Sequence, residues 1–352
     1  MAPLPPESKL ISTADSLLEE TETPGAAVAI LVDGERVFHA GVGSLDLARG
    51  KAIEVDAQFL LYSVTKMLLA AVTMRLVERG IVSLTDSVAS LIPEAAIDRR
   101  MSLRHLLRHT SGLRDYGGMP EYHEAVRTSP MEPWPEATIL GRTLAQGALF
   151  EPGQGWAYSN IGYLLIRRVV GRHAGGSLAT ALDELLFRPL GLERTRMCET
   201  LDDTLELTPG FTTSIGEGGL VDVRGRYHPG WVAHGVVQST VAELAVVVDA
   251  LLAGHLLGQQ SLAVMRAALP VLVTHPVIRV PGYGLGLMMD LDPGSHSLTG
   301  HAGGGPGYSA AAFSIRSGDG RRITIATLAN RDADEVALRM VVELGGMLAG
   351  TS

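Results

Sequence analysis

Apolar residues along this chain recur with two periods. In "LISTADSLLEETE" they return every three or four positions, which predicts an amphipathic helix. "GAAVAILVDGERVFHAGVGSLD" then reads as two strands around an Asp33-Gly34 turn. Helical spacing resumes from Ser63 to Arg79, with Met67, Leu68, Ala71, Met74, Leu76 and Val77 on the buried side and Gly80 as the stop. From there to about residue 265 the segments are mostly helical. "SLRHLLRHTSGL", "IGYLLIRRVVGRHAGG", "SLATALDELLFRPLGL" and "STVAELAVVVDALLAG" are the clearest helices or helix starts. Strand signals return in "GYGLGLMMD", "YSAAAFSIRS" and "RRITIATLAN", with Gly318-Asp319-Gly320 as a hairpin turn. "ADEVALRMVVELGGML" predicts a last helix.

Strands at both ends and helices between imply an α+β fold. One antiparallel sheet would be built from both termini and flanked by helices, with an all-helical domain inserted. The expected division is residues 1–80 plus 270–352 for the sheet domain and 81–269 for a mostly helical domain.

Composition narrows the function classes. The chain has 352 residues, 46% of them hydrophobic, enough for a generous core. A net charge of −9 with no basic run argues against nucleic acid as a partner. No uninterrupted apolar run approaches the ~18 residues of a membrane span. "MAPLPPESKLISTADSLLEE" lacks the basic and apolar regions of a secretory signal, so the expected location is cytoplasmic. The single cysteine, Cys198, excludes an internal disulfide and reads as a small core residue.

Cation usage singles out one residue. Of 29 Lys plus Arg, only Lys9, Lys51 and Lys66 are lysines. Arginine keeps its proton in proteins, whereas a buried lysine can lose it. Lys66, inside "FLLYSVTKMLL", is therefore either a deprotonatable amine or a lysine snorkelling from a helix end.

Lys66 belongs to an ordered set of three short motifs: Ser63-Val64-Thr65-Lys66, Tyr158-Ser159-Asn160 and His301-Ala302-Gly303. One Ser-x-x-Lys is a weak signal; three in order are strong. With "LRHLLRHTSGL", "FEPGQGWAYSN", "LFRPLGLERTRM", "GYGLGL" and "GHAGGGPGYSAA" around them, the chain resembles the serine β-lactamase-like hydrolases from about Leu10 to Leu348. This group holds class C β-lactamases, D-alanyl-D-alanine peptidases, family VIII-type esterases and some acyltransferases. The resemblance implies a β-lactamase/penicillin-binding-protein transpeptidase-like fold, with the active site in the cleft between the two domains. It implies a small-molecule ester, amide or acyl donor as partner, and no cofactor.

It also implies roles. Ser63, at a helix N-terminus, would be the nucleophile. Lys66, one turn on, and Tyr158 are alternative acylation bases. Asn160 would hydrogen-bond Lys66 or a substrate amide. The N–H groups of Ser63 and Gly304 would form the oxyanion hole. His301, Ala302 and Gly303 depart from the commoner Lys-Thr-Gly or His-Thr-Gly. A constant charge becomes a titratable one, and a hydroxyl is lost. Both changes weaken recognition of a free carboxylate, favouring an esterase, amidase or transacylase over a D-alanyl-D-alanine peptidase or β-lactamase. An acylated sensor without turnover is the non-enzyme alternative. Tyr116, Trp156 and Tyr308 are candidates to border the cleft, with ordinary packing as the alternative for the loop aromatics. His105 and His109 stand four apart, as zinc ligands on a helix would. No glutamate stands in the matching place, and no metal is expected.

Overall fold

The computed structural model describes residues 4–350 except Arg49 and Asp334. Strands β1 (Gly25–Val32) and β2 (Glu35–Gly43) form the first hairpin. Asp33 and Gly34, at φ 50° and 92°, supply the left-handed pair that a two-residue hairpin turn requires. β1 is apolar throughout because it pairs on both edges and packs on both faces. Ala26, Val28 and Ile30 join one core layer, and Ala27, Ala29 and Leu31 join the other.

β3 (Gln58–Leu60) follows, then the helix Val64–Glu78. β4 (Arg196–Cys198), β5 (Phe211–Thr212), β6 (Val221–Asp222) and β7 (Val236–Thr240) lie in the middle of the chain. β8 (Leu269–Pro270), β9 (Pro281–Tyr283), β10 (Met288–Asp290), β11 (Thr299–Gly305), β12 (Tyr308–Arg316) and β13 (Arg322–Ala329) complete the set. The large sheet runs β2-β1-β13-β12-β11-β10-β9-β8, antiparallel throughout. The two ends of the chain thus meet at β1 and β13, as the strand pattern anticipates. Helices Glu7–Glu20 and Val336–Ala349 share one core layer with this sheet. Helices Val64–Glu78 and Val241–Ala253 belong to the other.

The middle stretch is not helix alone, which corrects the all-helical expectation. β3, β7 and β4 form a small antiparallel sheet, and β5 pairs with β6. These strands have two to five residues, too few for a period to register. The helix Val64–Glu78 also differs from its expected single buried face. Every residue from Val64 to Met74 is buried. It lies between the sheet and helix Asn160–His173, and a helix enclosed by two layers has no solvent face to mark.

Candidate active site

The β3 strand delivers the chain to Ser63. Phe59 and Leu60 pair with Ser239 and Gln238, and the Leu61 N–H donates to Val237 O at 2.8 Å. Tyr62 then turns with φ 44°, a strained region for a bulky side chain. Such backbone costs ~1–3 kcal/mol and persists only where its surroundings hold it. Here the Tyr62 hydroxyl donates to Pro306 O at 2.5 Å, and its ring fills the space a side chain at Gly305 would take. Ser63 emerges as the N-terminal cap of Val64–Glu78, still partly solvent-accessible.

Gly303 explains how β11 reaches this point. A Cβ there would stand 2.5 Å from Leu61 O, 2.7 Å from Ser63 N and 3.0 Å from Val64 N. Only glycine lets the strand lie against the first turn of the helix. Pro306-Gly307 is a two-residue turn closed by the pair Gly305–Tyr308. Hydrogen-bonded pairs alternate along such a ladder, so the Gly304 N–H faces away from β12. Gly304 itself is exposed.

Lys66 Nζ lies 2.8 Å from Ser63 Oγ, and Tyr158 OH lies 2.9 Å from the same oxygen. Both predicted partners therefore converge on Ser63. Lys66 is 0% exposed. Burial pushes its amine from 10.5 down to about 7, opposed by the charge of Asp115. Burial acts the other way on the Tyr158 phenol, which it raises; the bond to Ser63 opposes this, and the Asp115 charge adds to it.

Three unpredicted residues complete the environment. His234 Nε2 stands 3.2 Å from Lys66 Nζ. Its imidazole is held neutral, first by burial and then by Lys66, so Nε2 can accept from the lysine amine. Asp115 accepts from the Asn160 N–H at 2.9 Å and from Asn160 Nδ2 at 3.0 Å. Asn160 thus binds Asp115 rather than Lys66. Tyr283 OH lies 3.0 Å from His301 Nε2. His301 Nδ1 is 2.6 Å from Ala302 O, which can only accept, so Nδ1 carries the proton and Nε2 accepts from Tyr283. Burial, then the Lys66 charge, pushes His301 down to about 3. The expected titratable charge is therefore absent near neutral pH. Sequence offers a weak signal for His234, a lone histidine in the apolar run "WVAHGVV", and for Tyr283 only its place in "GYGLGL", with no role attached.

Other candidates resolve into packing. Tyr308 is fully buried, donates to Thr208 O at 2.6 Å and packs on Phe59, so it does not border the cleft. Trp156 packs edge-on against His109 and tilted against Tyr283. Tyr116 does line the cavity beside Ser63. His105 caps the helix Leu103–Leu107, whereas His109 lies beyond it at φ 59° against the Tyr158 ring; the helical spacing that suggested zinc is broken. No metal-holding cluster occurs among the described residues. Burial raises the Cys198 thiol to about 12, which leaves it inert. Among the described residues no helix is long and apolar enough to cross a membrane.

Two open cavities meet at Ser63. One, of about 720 Å³, is walled by Tyr62, Tyr116, Tyr122 and Tyr227. The other, of about 530 Å³, is walled by Tyr158, His301, Met288 and Leu338. Ser63, Gly304, Gly305 and Asp332 touch both.

The sequence profile described as Beta-lactamase matches residues 10–343. The chain belongs to the beta-lactamase family. Within that family it is 26% identical to a penicillin-binding protein of Bacillus subtilis over 346 residues, covering 93% of this chain and 72% of that one. It is 30% identical to an esterase of Burkholderia gladioli over 196 residues, covering 53% of this chain and half of the esterase. A D-stereospecific amidohydrolase of Streptomyces shares the beta-lactamase fold with a TM-score of 0.82, at 24% identity, covering 97% of this chain and 99% of its own.

Proposed function

We propose that this protein is a serine hydrolase that cleaves ester or amide bonds through a covalent acyl-Ser63 intermediate. The observation that carries this reading is Lys66 Nζ at 2.8 Å from Ser63 Oγ, on a fully buried lysine held near neutrality. A large fraction of Lys66 is then unprotonated at pH 7, while the raised Tyr158 phenol stays protonated. Lys66 rather than Tyr158 is the acylation base.

Lys66 takes the Ser63 hydroxyl proton as Oγ bonds to the substrate carbonyl carbon. The carbonyl oxygen gains the negative charge. The N–H groups of Ser63 and Gly304 face it, beside the N-terminus of Val64–Glu78. The bond to the leaving oxygen or nitrogen breaks as Tyr158 donates its proton to it, and the Lys66 ammonium restores that proton. Water then repeats the sequence on acyl-Ser63, releasing the acid. The neutral His301 and the missing hydroxyl at Ala302 leave the third motif without a carboxylate clamp. This supports an ester or amide substrate over a carboxylate-terminated peptide. The esterase relative is consistent with it.

Turnover of p-nitrophenyl acetate tests the reading. Sustained release of p-nitrophenol well past one equivalent is expected. A single stoichiometric burst would instead make the protein an acylated sensor.

A further inference from the structure

Among the described residues, Asp332 is the one carboxylate shared by both cavities at Ser63. The scaffold fixes its place. Phe211 N–H donates to Asn330 O at 2.9 Å and Phe211 bridges to Arg331, tying the end of β13 to β5. Asn330 in turn accepts from Gly25 N–H at 2.8 Å. The carboxylate accepts from Thr212 Oγ1 at 2.6 Å and from Ser214 Oγ at 3.4 Å, both on Oδ2. Both donors are neutral.

Among the described residues none forms an ion pair with Asp332. The adjacent Arg331 acts on Asp332 only through its charge, without pairing. Its side chain turns away, donating to Glu22 O at 2.6 Å and lying 3.5 Å from the Glu22 carboxylate. Arg127, on the wall of the larger cavity, is held by Glu124 at 2.8 Å. His275, on the wall of the smaller one, faces Glu335 at 3.6 Å, and His301 is neutral. Burial therefore raises the Asp332 carboxyl, with the hydroxyl bonds and Arg331 opposing it. Its charge also reaches Tyr62, the residue before the nucleophile. A half-buried carboxylate with no ion-pair partner, on the same cavity walls as the reactive serine, is stabilised when a cation arrives to pair with it.

We infer that the acyl donor carries a protonated amine near its scissile carbonyl, and that the Asp332 carboxylate at the junction of the two cavities binds it. This rests on the hydrolase reading for the identity of the scissile bond, but the ammonium site stands on Asp332 and its surroundings alone.

Binding can be measured without turnover. Ser63→Ala protein is titrated calorimetrically at about pH 7, where an α-amine is mostly protonated. The ligands are the two enantiomers of phenylalaninamide and 3-phenylpropanamide, which differs only by lacking the amine. The expected result is at least tenfold tighter binding of one enantiomer than of 3-phenylpropanamide, with that ratio falling below threefold in Ser63→Ala/Asp332→Asn. Equal binding of amine and neutral amide would overturn the inference, as would no detectable binding of either. A ratio that survives the Asp332 change would also overturn it. Should the double variant not fold, the ratio in Ser63→Ala still decides against the inference if it is near one. Hydrolysis of p-nitrophenyl acetate by the unaltered protein reports separately on the hydrolase reading.

Discussion

In the proposed mechanism, Lys66 is the residue on which the chemistry turns. A chain that uses arginine for 26 of its 29 cations places a lysine where burial brings the amine to about 7. Arginine cannot reach that state, because its guanidinium keeps its proton. Lys66→Arg should therefore lower single-turnover acylation about a hundredfold or more, the usual weight of a positioned base. Near-normal acylation by a folded Lys66→Arg protein would reduce the lysine to a buried cation. The pH dependence follows from the same shift. Only the neutral amine accepts a proton, so acylation should rise about tenfold per pH unit below about 7 and level off above it. A flat profile from about pH 5 to 9 would contradict this assignment. Ser63, Lys66 and Tyr158 are legible in the sequence because each sits in a short motif. Asp115 and His234 are not, because only tertiary folding brings these single residues to the site, and "GYGLGL" gives no role to Tyr283 until folding sets it against His301. The neutrality of His301 is equally hidden: its charge depends on burial and on Lys66 beside it.

At the scale of elements, the site is a seam between the start of one helix and the last residues of one strand. Two adjacent glycines in β11 have opposite requirements. Gly303 presses on the backbone of Leu61, Ser63 and Val64, whereas the nearest atom to a Cβ at Gly304 would be 4.0 Å away. Gly303→Ala must push β11 off the helix and displace both the Ser63 N–H and the neighbouring Gly304 N–H. Acylation should fall by about a hundredfold, on the order of one lost oxyanion contact. Gly304→Ala should leave the thermal midpoint within about 1 °C, as a substitution into open space does. Differential scanning fluorimetry with single-turnover acylation checks both. Equal effects of the two changes would refute the seam. Strands β1, β2, β12 and β13 and the main helices are legible from period and turn residues alone. β4 and β7 are not, yet β7 holds β3, and β3 aims Ser63. Their pairing is a long-range event that short runs do not announce.

At the scale of the molecule, the chain closes on itself through β1 and β13, and one buried ion pair fastens the layers. Arg322, on β13, donates from Nε to Asp249 Oδ1 at 2.9 Å and from Nη2 to Oδ2 at 3.1 Å; Thr324 Oγ1 donates to Oδ1 at 2.8 Å. Asp249 belongs to helix Val241–Ala253, and its side chain is 5% exposed. Asp249→Ala would strand the guanidinium. The cost should be about 2–3 kcal/mol in urea unfolding, under the ~3–5 of a fully enclosed pair because Arg322 keeps some water. Acylation by the folded fraction should be unchanged, since neither residue lines the cavities at Ser63. The meeting of the two termini is legible from strands at both ends of the sequence, whereas this fastening is not: neither residue stands out by type or spacing.

The most direct test of the account is the mass of the protein after brief exposure to a reactive ester, followed by peptide mapping. One added acyl group is expected, located on Ser63, formed faster as pH rises through about 7 and absent in a folded Ser63→Ala protein. An acyl group that maps to another residue, or that persists on Ser63→Ala, would contradict it.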